Sequence, residues 1–193
     1  MSDSQSAPPE FISTDLNTGH DLTQFECGEP ALDEWLHNRA RRDASAGVCR
    51  VKVWTPRDDL DRVVAFYTIA ATQCVRDDGL TRRLHAGYST VPAFLLGRLA
   101  VDIHWQGSGI GTDVLGDALV LMVEAARVGG ARLIVVDPIS AEVASWYRNL
   151  GFQRAGARSG PEPARPNRLY MTVQDAEAAI EAADRPELNR LNK

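Results

Sequence analysis

A short glycine-rich stretch, Gly97 to Gly111, constrains the fold of this 193-residue chain more than any other segment. The apolar run from Leu95 to Val101 predicts a buried strand, and a polar break with alternating glycines follows it. Between Val114 and Val123, apolar residues recur at three- and four-residue steps, which predicts an amphipathic helix. Glycines let the backbone turn sharply, and the first N–H groups of a helix attract anions. This order of elements therefore predicts a site for a diphosphate group.

Three phosphate-binding motifs compete for this stretch. A Walker loop requires Gly-Lys-Ser/Thr at its end, but Thr112 directly follows Gly111, so that motif is excluded. The dinucleotide fingerprint Gly-x-Gly-x-x-Gly is excluded because position 112 is not glycine. The spacing Gln106-x-x-Gly109-x-Gly111 instead resembles the acetyl-CoA loop of the GNAT superfamily of N-acetyltransferases. The resemblance implies that acetyl-CoA contacts the strand end and the loop, at Leu99, Ala100, Val101, Gln106, Gly107, Ser108, Gly109, Ile110, Gly111 and Thr112.

Composition limits the class of protein. A hydrophobic content of 44% is ordinary for a globular domain. No apolar run approaches the roughly 20 residues that cross a membrane. The three cysteines have no CxxC spacing, so they predict neither disulfides nor a metal site, and they fit a reducing cytoplasm. We expect one domain over residues 10–184, between a disordered Ser/Pro-rich tail over residues 1–9 and a charged tail over residues 185–193.

The remaining pattern predicts an α/β fold. The uninterrupted apolar run Leu133–Asp137 is typical of a central parallel strand, joined to the earlier strand by the intervening helix. The other predicted elements, in chain order, are a strand within Phe11–Leu22, a helix from Pro30 to the arginines near Arg42, strands at Cys49–Trp54 and Val63–Ala71, a short helix or loop within Arg76–Val91, a helix from Ser140 to Leu150, a loop at Arg154–Arg168, a strand at Leu169–Val173 and a helix at Gln174–Ala183. Resemblance to GNAT proteins implies a mixed, splayed sheet with helices on both faces.

A second segment, Ser145 to Phe152, resembles the tyrosine-bearing helix and Gly-Phe step late in GNAT proteins. In that superfamily two parallel strands splay apart, and the pantetheine arm of the cofactor lies between them. The resemblance implies that Tyr147 is the catalytic residue and faces the thioester sulfur. Periodicity alone leaves an alternative, in which Tyr147 is a core aromatic residue.

The implied chemistry sets requirements for the acceptor. A tyrosine with a pKa of about 10 remains protonated at neutral pH and can protonate a departing thiolate. A main-chain N–H at Leu99 or Val101 is the natural donor to the tetrahedral oxyanion. Asp102, His104 and Glu142 are nearby in sequence, but nothing identifies one of them as a general base. An α-amine has a pKa of about 8 and is partly neutral at neutral pH, so it needs little help from a general base. A lysine amine has a pKa of about 10.4 and would need a strong base to lose its proton. The acceptor predicted is therefore an α-amine.

A narrower resemblance links several segments between residues 20 and 173. Its motifs are Phe25-x-Cys27-Gly28, Leu32-Asp33-x-Trp35-Leu36, Tyr67-Thr68-Ile69-Ala70, Gly97-Arg98-Leu99-Ala100-Val101-Asp102 and Trp105-Gln106-Gly107-x-Gly109-Ile110-Gly111. Together they resemble the GNAT toxins of bacterial toxin–antitoxin pairs. The resemblance implies acetylation of the α-amine of aminoacyl-tRNA, a ribbon-helix-helix antitoxin that makes the only link to DNA, and homodimeric toxin units. The alternatives are a GNAT enzyme for a small amine or a protein N-terminus, and a non-catalytic CoA-binding regulatory module.

The charge balance bears on the tRNA interpretation. A net charge of −5 argues against a globally basic nucleic-acid binder. A local patch for tRNA phosphates remains compatible with it, and the proposed members are Arg39, Arg41, Arg42, Arg50, Arg82 and Arg83. Scattered, solvated charge is the alternative.

Overall fold

The structure is a computed structural model that describes residues 10–76, 79–155 and 167–183. Both predicted tails, and most of the predicted loop Arg154–Arg168, lie outside these residues. The elements are β1 (Phe11–Asp15), α1 (Pro30–Asn38), α2 (Ala40–Ser45), β2 (Arg50–Pro56), β3 (Ala65–Val75), α3 (Arg82–His85), β4 (Thr90–Val101), α4 (Ile110–Gly129), β5 (Leu133–Val136), α5 (Ala141–Asn149), β6 (Gln153–Arg154), β7 (Leu169–Thr172) and α6 (Val173–Ala183). The strands form one sheet in the order β1-β2-β3-β4-β5-β7-β6.

The sheet is mixed, as predicted. Strands β4 and β5 run parallel, with Ala93–Leu96 in register with Leu133–Val136. The pairs β1·β2, β5·β7 and β6·β7 are antiparallel. Strand β5 ends at Val136, whereas β4 continues to Val101. The predicted α/β fold class is therefore confirmed, and the last residues of β4 extend beyond the parallel register.

By its internal contacts the chain divides into two compact units. The first comprises residues up to Thr68 together with Arg98–Val114, and the second comprises Ile69–Gly97 and the residues from Leu115 onward. The single-domain boundaries at residues 10 and 184 stay a prediction. No helix in the described ranges combines the length and apolarity needed to cross a membrane.

The first unit packs α1 and α2 against strands through aromatic side chains. Trp35 of α1 stacks on Phe66 of β3, with ring centroids 5.9 Å apart. The Trp35 indole N–H donates to the buried carboxylate of Asp43 at 2.9 Å, and the Arg98 guanidinium of β4 lies 4.0 Å above the same indole. The core beside them is apolar and consists of Leu22, Phe25, Leu36, Ala40, Val51, Val53, Val63 and Ala100. The start of the glycine-rich stretch is thereby fixed to the α1–α2 segment.

The second unit has its own core around β5. Strand β5 is buried along its whole length, as its uninterrupted apolar sequence predicts. Leu84 of α3 packs into the same cluster, which also contains Cys74, Leu80, Val91, Ala93, Leu133, Val135 and Tyr170. This packing positions the carboxyl end of β5, from which the chain continues into α5.

Helix α5 ends in a Schellman motif, as the Gly151 position predicts. Gly151 has a φ of +97°, and its N–H donates to the Arg148 carbonyl at 3.1 Å. The Phe152 N–H donates to the Tyr147 carbonyl at 3.1 Å, and the two rings lie 5.3 Å apart, centroid to centroid. Both hydrogen bonds and the accompanying apolar contact are the defining features of the motif. The end of the helix therefore fixes the backbone of Tyr147.

Several sequence-based boundaries are wrong: β4 begins at Thr90 rather than at Leu95, and β3 covers Ala65–Val75 rather than Val63–Ala71. Two further errors change the number of elements. The predicted helix from Pro30 to the arginines breaks at Arg39, whose φ of −127° leaves the helical region, so α1 and α2 are separate. Arg154 belongs to a short strand rather than to the predicted loop, because it pairs with Leu169. The pairing of Arg154 is a long-range contact, which local propensity does not report.

Replacing Gly151 by alanine is expected to lower the free energy of unfolding by about 1–2 kcal/mol, because a side chain in left-handed backbone is strained by roughly that amount. The added Cβ would also lie 3.2 Å from Met171 Cε. The matched control is Gly116→Ala within α4, where a Cβ meets nothing within 4 Å. It is expected to raise stability by up to about 1 kcal/mol. Urea unfolding measures both, and equal stability of Gly151→Ala and the unmodified chain would contradict the prediction.

Candidate active site

The loop after β4 has the backbone of an anion site. Gly107 and Gly109 have φ values of +75° and +94°, which side chains rarely adopt, and a Cβ at either position would meet nothing within 4 Å. Helix α4 begins directly after them at Ile110. The first N–H groups of a helix have no intrahelical acceptor, so they are available to an anion. The Thr112 N–H is the exception, because it donates to the Gly109 carbonyl at 2.9 Å.

The side chains of this loop bind the protein's own backbone. The Gln106 amide donates to the Val101 carbonyl at 2.8 Å and to the Cys27 carbonyl at 2.9 Å. The Ser108 hydroxyl donates to the Trp105 carbonyl at 2.6 Å. Gln106 and Ser108 therefore have only their backbone N–H groups left for a diphosphate. Sequence spacing singles out Gln106 but does not reveal that its side chain acts on the loop rather than on the ligand.

Asp102 is a buried structural carboxylate. Its side chain is 4% exposed and accepts from the Glu26 N–H at 3.3 Å, the His104 N–H at 3.0 Å and His104 Nδ1 at 2.8 Å. The Ile103 N–H also donates to the Glu26 carbonyl at 2.8 Å. With the Gln106 bonds, these contacts form a clasp, by which we mean the hydrogen bonds that join residues 101–106 to Glu26 and Cys27. A carboxylate with three donors is occupied, so Asp102 does not fit the role of general base.

The end of β4 presents alternate main-chain groups to its two sides. The Asp102 N–H donates to the Val64 carbonyl at 2.9 Å, so this residue faces β3. Because strand residues alternate in direction, the main-chain groups of Leu99 and Val101 face the opposite edge, and Ala100 faces β3 like Asp102. That opposite edge is the one that pairs with β5 further back, up to Leu96. Leu99 and Val101 are therefore the positions whose N–H groups fit an oxyanion or a pantetheine arm.

Tyr147 lies in the second unit, on the last turn of α5. The Ser140 hydroxyl caps this helix by accepting from the Val143 N–H at 3.2 Å. Tyr147 is 7% exposed and packs edge-on against Trp146 and Phe152. Burial raises its pKa above the ordinary tyrosine value, so the hydroxyl is protonated at neutral pH. Among the described residues the hydroxyl has no hydrogen-bond partner, which leaves it available as a donor to a substrate.

An ion pair that sequence patterns did not single out lies at the end of β5. Arg168, immediately before β7, donates to both carboxylate oxygens of Asp137, at 2.7 Å and 2.5 Å. The Arg168 side chain is 4% exposed, whereas that of Asp137 is 39% exposed. The β5·β7 register ends at the pair Val136 and Leu169. Asp137 and Arg168 are the next residues along, and their side chains continue the pairing. The only signal in the sequence is the charge directly after an apolar strand.

The six arginines proposed for tRNA differ in their contacts. Four already bind other groups: Arg39 lies 3.6 Å from Asp43, Arg41 donates to the His20 carbonyl at 2.6 Å, Arg50 forms a two-point bond with Asp15 at 3.1 and 2.7 Å, and Arg83 pairs with Asp175. Within the described ranges, the side chains of Arg42 and Arg82 form no ion pair or hydrogen bond. Of these six, Arg42 and Arg82 are therefore the arginines whose charge is not already engaged by another described group.

A cysteine nucleophile is excluded at the clasp. Burial, aided by Asp33, raises the pKa of Cys27 to about 12. The thiolate, which is the reactive form, is therefore nearly absent at neutral pH. This geometry favours direct transfer between two bound substrates over a route through a cysteine acyl-enzyme.

Sequence comparison identifies a close group of relatives. The chain is 35% identical over 165 residues to the tRNA-acetylating toxin of Mycobacterium tuberculosis, which covers 86% of this chain and 93% of that protein. No protein-family model matches the chain. An identity of this size over nearly the full length of both proteins shows common descent.

Solved structures share the fold at lower identity. The AtaT toxin complexed with acetyl-methionyl-tRNAfMet superposes with a TM-score of 0.78 and 22% identity, over 88% of this chain and 98% of that one. A tyrosine-to-phenylalanine mutant of AtaT, bound to the C-terminus of the antitoxin AtaR and to acetyl-CoA, gives a TM-score of 0.74 and 21% identity, over 89% and 99% of the two chains. These similarities show that the fold is the same.

Replacing Gln106 by methionine, which keeps the side-chain length but removes both donors, is expected to weaken acetyl-CoA binding about tenfold. Two hydrogen bonds contribute roughly 0.5–1.5 kcal/mol each, and a tenfold change is about 1.4 kcal/mol. Isothermal titration calorimetry measures the affinity. Gln24→Met, at an exposed position, is the matched control and should bind like the unmodified chain. Unchanged affinity of Gln106→Met would show that the clasp does not support the loop.

Proposed function

This chain belongs to the family of tRNA-acetylating toxins, and from that premise we propose that it transfers the acetyl group of acetyl-CoA to the α-amine of an amino acid on charged tRNA. The product has no free amine and is blocked from its normal use in translation. The observation that carries the proposal is the glycine loop between β4 and α4, with positive φ at Gly107 and Gly109 and a helix N-terminus directly behind.

Acetyl-CoA supplies an activated thioester, and the first unit has the groups to hold its diphosphate. Main-chain N–H groups from Gln106 to Gly111 act as donors, because backbone amides at a helix N-terminus suit a doubly charged anion. Thr112 contributes less, since its N–H is already bonded. The open space beside Gly107 and Gly109 admits the ligand close to the backbone. No metal is needed, because these donors neutralise the charge.

Leu99, Val101 and Tyr147 have the chemistry for the transfer. A main-chain N–H of Leu99 or Val101 stabilises the oxyanion, and the Tyr147 hydroxyl donates to the departing sulfur. Burial raises the pKa of Tyr147, so the hydroxyl acts in its neutral form. The amine loses one proton as it forms the amide bond, and the thiol gains one. An α-amine with a pKa of about 8 is partly neutral at physiological pH, so no dedicated base is required.

The initial rate is expected to rise with pH as the α-amine of the acceptor, with a pKa of about 8, loses its proton. No falling limb is expected up to about pH 9.5, because Tyr147 must be protonated to act and burial raises its pKa above the ordinary value of about 10. Initial rates of acetylation across this range measure the profile. A decline beginning below about pH 9 would contradict the assignment of a buried tyrosine as the donor.

Two other functions remain distinguishable. A GNAT enzyme for small amines or protein N-termini would acetylate free amino compounds and show no salt-sensitive RNA binding. A non-catalytic module would bind acetyl-CoA and lose nothing when Tyr147 is replaced. The relative's name, which specifies tRNA, favours the toxin over both.

Arg42 and Arg82 are proposed as phosphate contacts for tRNA. Replacing either by glutamine is expected to weaken tRNA binding and to lower the slope of log affinity against log salt by about one each. Arg50→Gln is the matched control with a smaller expected effect, because Asp15 already neutralises this side chain. Fluorescence anisotropy at several salt concentrations measures the slope. Equal effects of all three variants would favour scattered charge over a specific contact.

The partners follow from the same family. AtaT is solved with its antitoxin AtaR, and the corresponding partner proposed here is a ribbon-helix-helix antitoxin that carries the DNA contacts. The toxin unit proposed is a homodimer. Because charged tRNA and acetyl-CoA are cytoplasmic compounds, the proposed activity implies a cytoplasmic enzyme.

Tyr147→Phe is expected to lower the rate of acetylation by about 10²–10⁴-fold, the usual contribution of a proton donor. Mass spectrometry of charged tRNA, after incubation with labelled acetyl-CoA, measures the product. Tyr88→Phe removes an exposed hydroxyl and should retain full activity. Expression without the antitoxin should arrest growth for the unmodified chain and for Tyr88→Phe, but not for Tyr147→Phe. Normal growth with abundant folded, unmodified protein would overturn the toxin assignment.

A further inference from the structure

The link between β5 and α5 is short and largely exposed. It consists of residues 137–140, and only Pro138 among them is buried. Proline has no backbone N–H, so Pro138 cannot donate a hydrogen bond to a neighbouring strand. Tyr147 follows on the last turn of α5. The direction in which this link leaves β5 therefore sets where α5 begins and where the Tyr147 side chain is carried.

The ion pair between Asp137 and Arg168 holds the start of the link against β7. Two N–H groups of Arg168 donate to the two carboxylate oxygens at 2.7 Å and 2.5 Å, so turning the carboxylate breaks at least one bond. The Arg168 side chain is 4% exposed, which leaves little water to compete for these donors. A planar guanidinium fixes a direction that a point charge does not. The pair therefore sets an orientation besides supplying attraction.

Open space lies beside this pair. The β4·β5 register ends at Leu96 and Val136, so Gly97 and Asp137 are the next residues along the two strands. Residues of interior parallel strands are normally covered, yet Gly97 of β4, between β3 and β5, is exposed. Glycine in a strand interior often marks a place where a ligand approaches the backbone. The Asp137 side chain, 39% exposed, therefore borders a space that a substrate can enter.

The other contacts of α5 described above are local to the helix. The Schellman motif at Gly151 holds Tyr147 relative to α5, because both its hydrogen bonds join residues of the same segment. The Ser140 cap likewise bonds within the first turn. Neither contact ties α5 to the strand before it. The bond between Asp137 and Arg168 does, since it joins the start of the link to the residue before β7.

We propose that Asp137 and Arg168 are positioning residues for acetyl transfer. Their two-point bond sets the direction of the β5–α5 link and thereby holds the Tyr147 hydroxyl where it donates to the departing sulfur. Neither side chain is assigned a contact with the reacting atoms. The inference rests on the proposed function, because it takes Tyr147 as the proton donor.

The test is a double-mutant cycle on the full chain. Arg168→Lys keeps the positive charge but not the two-point bond, and it should lower kcat for acetylation of charged tRNA about tenfold. In a chain that already carries Tyr147→Phe, the same change should have no further effect, because the hydroxyl that it positions is absent. Rates are divided by the folded fraction, measured by urea unfolding. A role limited to folding would lower both rates equally.

Two further variants control for folding. The double variant Asp137→Leu and Arg168→Met removes the pair without leaving a buried charge unpaired, so it should fold where a single change does not. It should lose at least as much kcat as Arg168→Lys. The matched control is Asp175→Asn, which breaks the ion pair of α6 with Arg83 in the same unit and should keep the parent's kcat.

Tyrosine labelled with carbon-13 at Cζ gives a readout that does not need acetylation. Burial raises the pKa of Tyr147, so its resonance in the parent chain should not shift up to about pH 10.5. Once the pair is removed, a displaced Tyr147 gains contact with water and should titrate nearer to the ordinary value of about 10.

The outcomes separate the inference from the proposed function. Parent-like kcat in Arg168→Lys, or an equal loss with and without the Tyr147 hydroxyl, would overturn the inference and leave the function intact. If the parent chain acetylates no charged tRNA, the proposed function fails and the Tyr147 titration decides the positioning. In that case, the same titration in the parent and in the double variant would overturn the inference as well.

Discussion

The hydrogen bonds that join Asp102 and Gln106 to Glu26 and Cys27 hold the glycine loop between β4 and α4 in its conformation. Asp102 is nearly inaccessible to solvent and accepts three hydrogen bonds, so losing one partner leaves a charge buried in a low-dielectric interior. Gln106 closes the other end by bonding two carbonyls from different segments. These bonds join the end of β4 and the turn to the segment before α1. The glycines can then adopt positive φ without disordering the turn.

In the second unit, local contacts hold Tyr147, the proposed proton donor. The Tyr147 backbone is held by the helix termination at Gly151, and its ring is held by Trp146 and Phe152. The proposed mechanism uses no charged side chain of either unit. For the proposed acetyl transfer, main-chain donors and one neutral hydroxyl would suffice, because an α-amine is a good nucleophile near neutral pH and a thiolate is a good leaving group. Of the candidate bases Asp102, His104 and Glu142, Asp102 is already occupied by three hydrogen bonds.

Much of the fold was predictable from the sequence because glycine, proline and apolar runs mark its boundaries. The start of α4 follows the alternating glycines, β5 is a continuous apolar run, and Gly151 ends the tyrosine helix. Side-chain partners were not predictable, because they join distant segments. Arg50 is neutralised by Asp15, Asp102 bonds Glu26, and Asp137 pairs with Arg168. A basic residue in a sequence therefore did not reveal whether its charge is available.

Cys27 has a consequence for how such an enzyme is controlled. Its carbonyl supports the loop, while burial keeps its thiol protonated, with a pKa of about 12, and burial also raises the pKa of Cys49. Thiols in this form react slowly with peroxides and disulfides. Oxidative conditions that inactivate many thiol-dependent enzymes would therefore leave the Cys27 and Cys49 thiols largely unmodified.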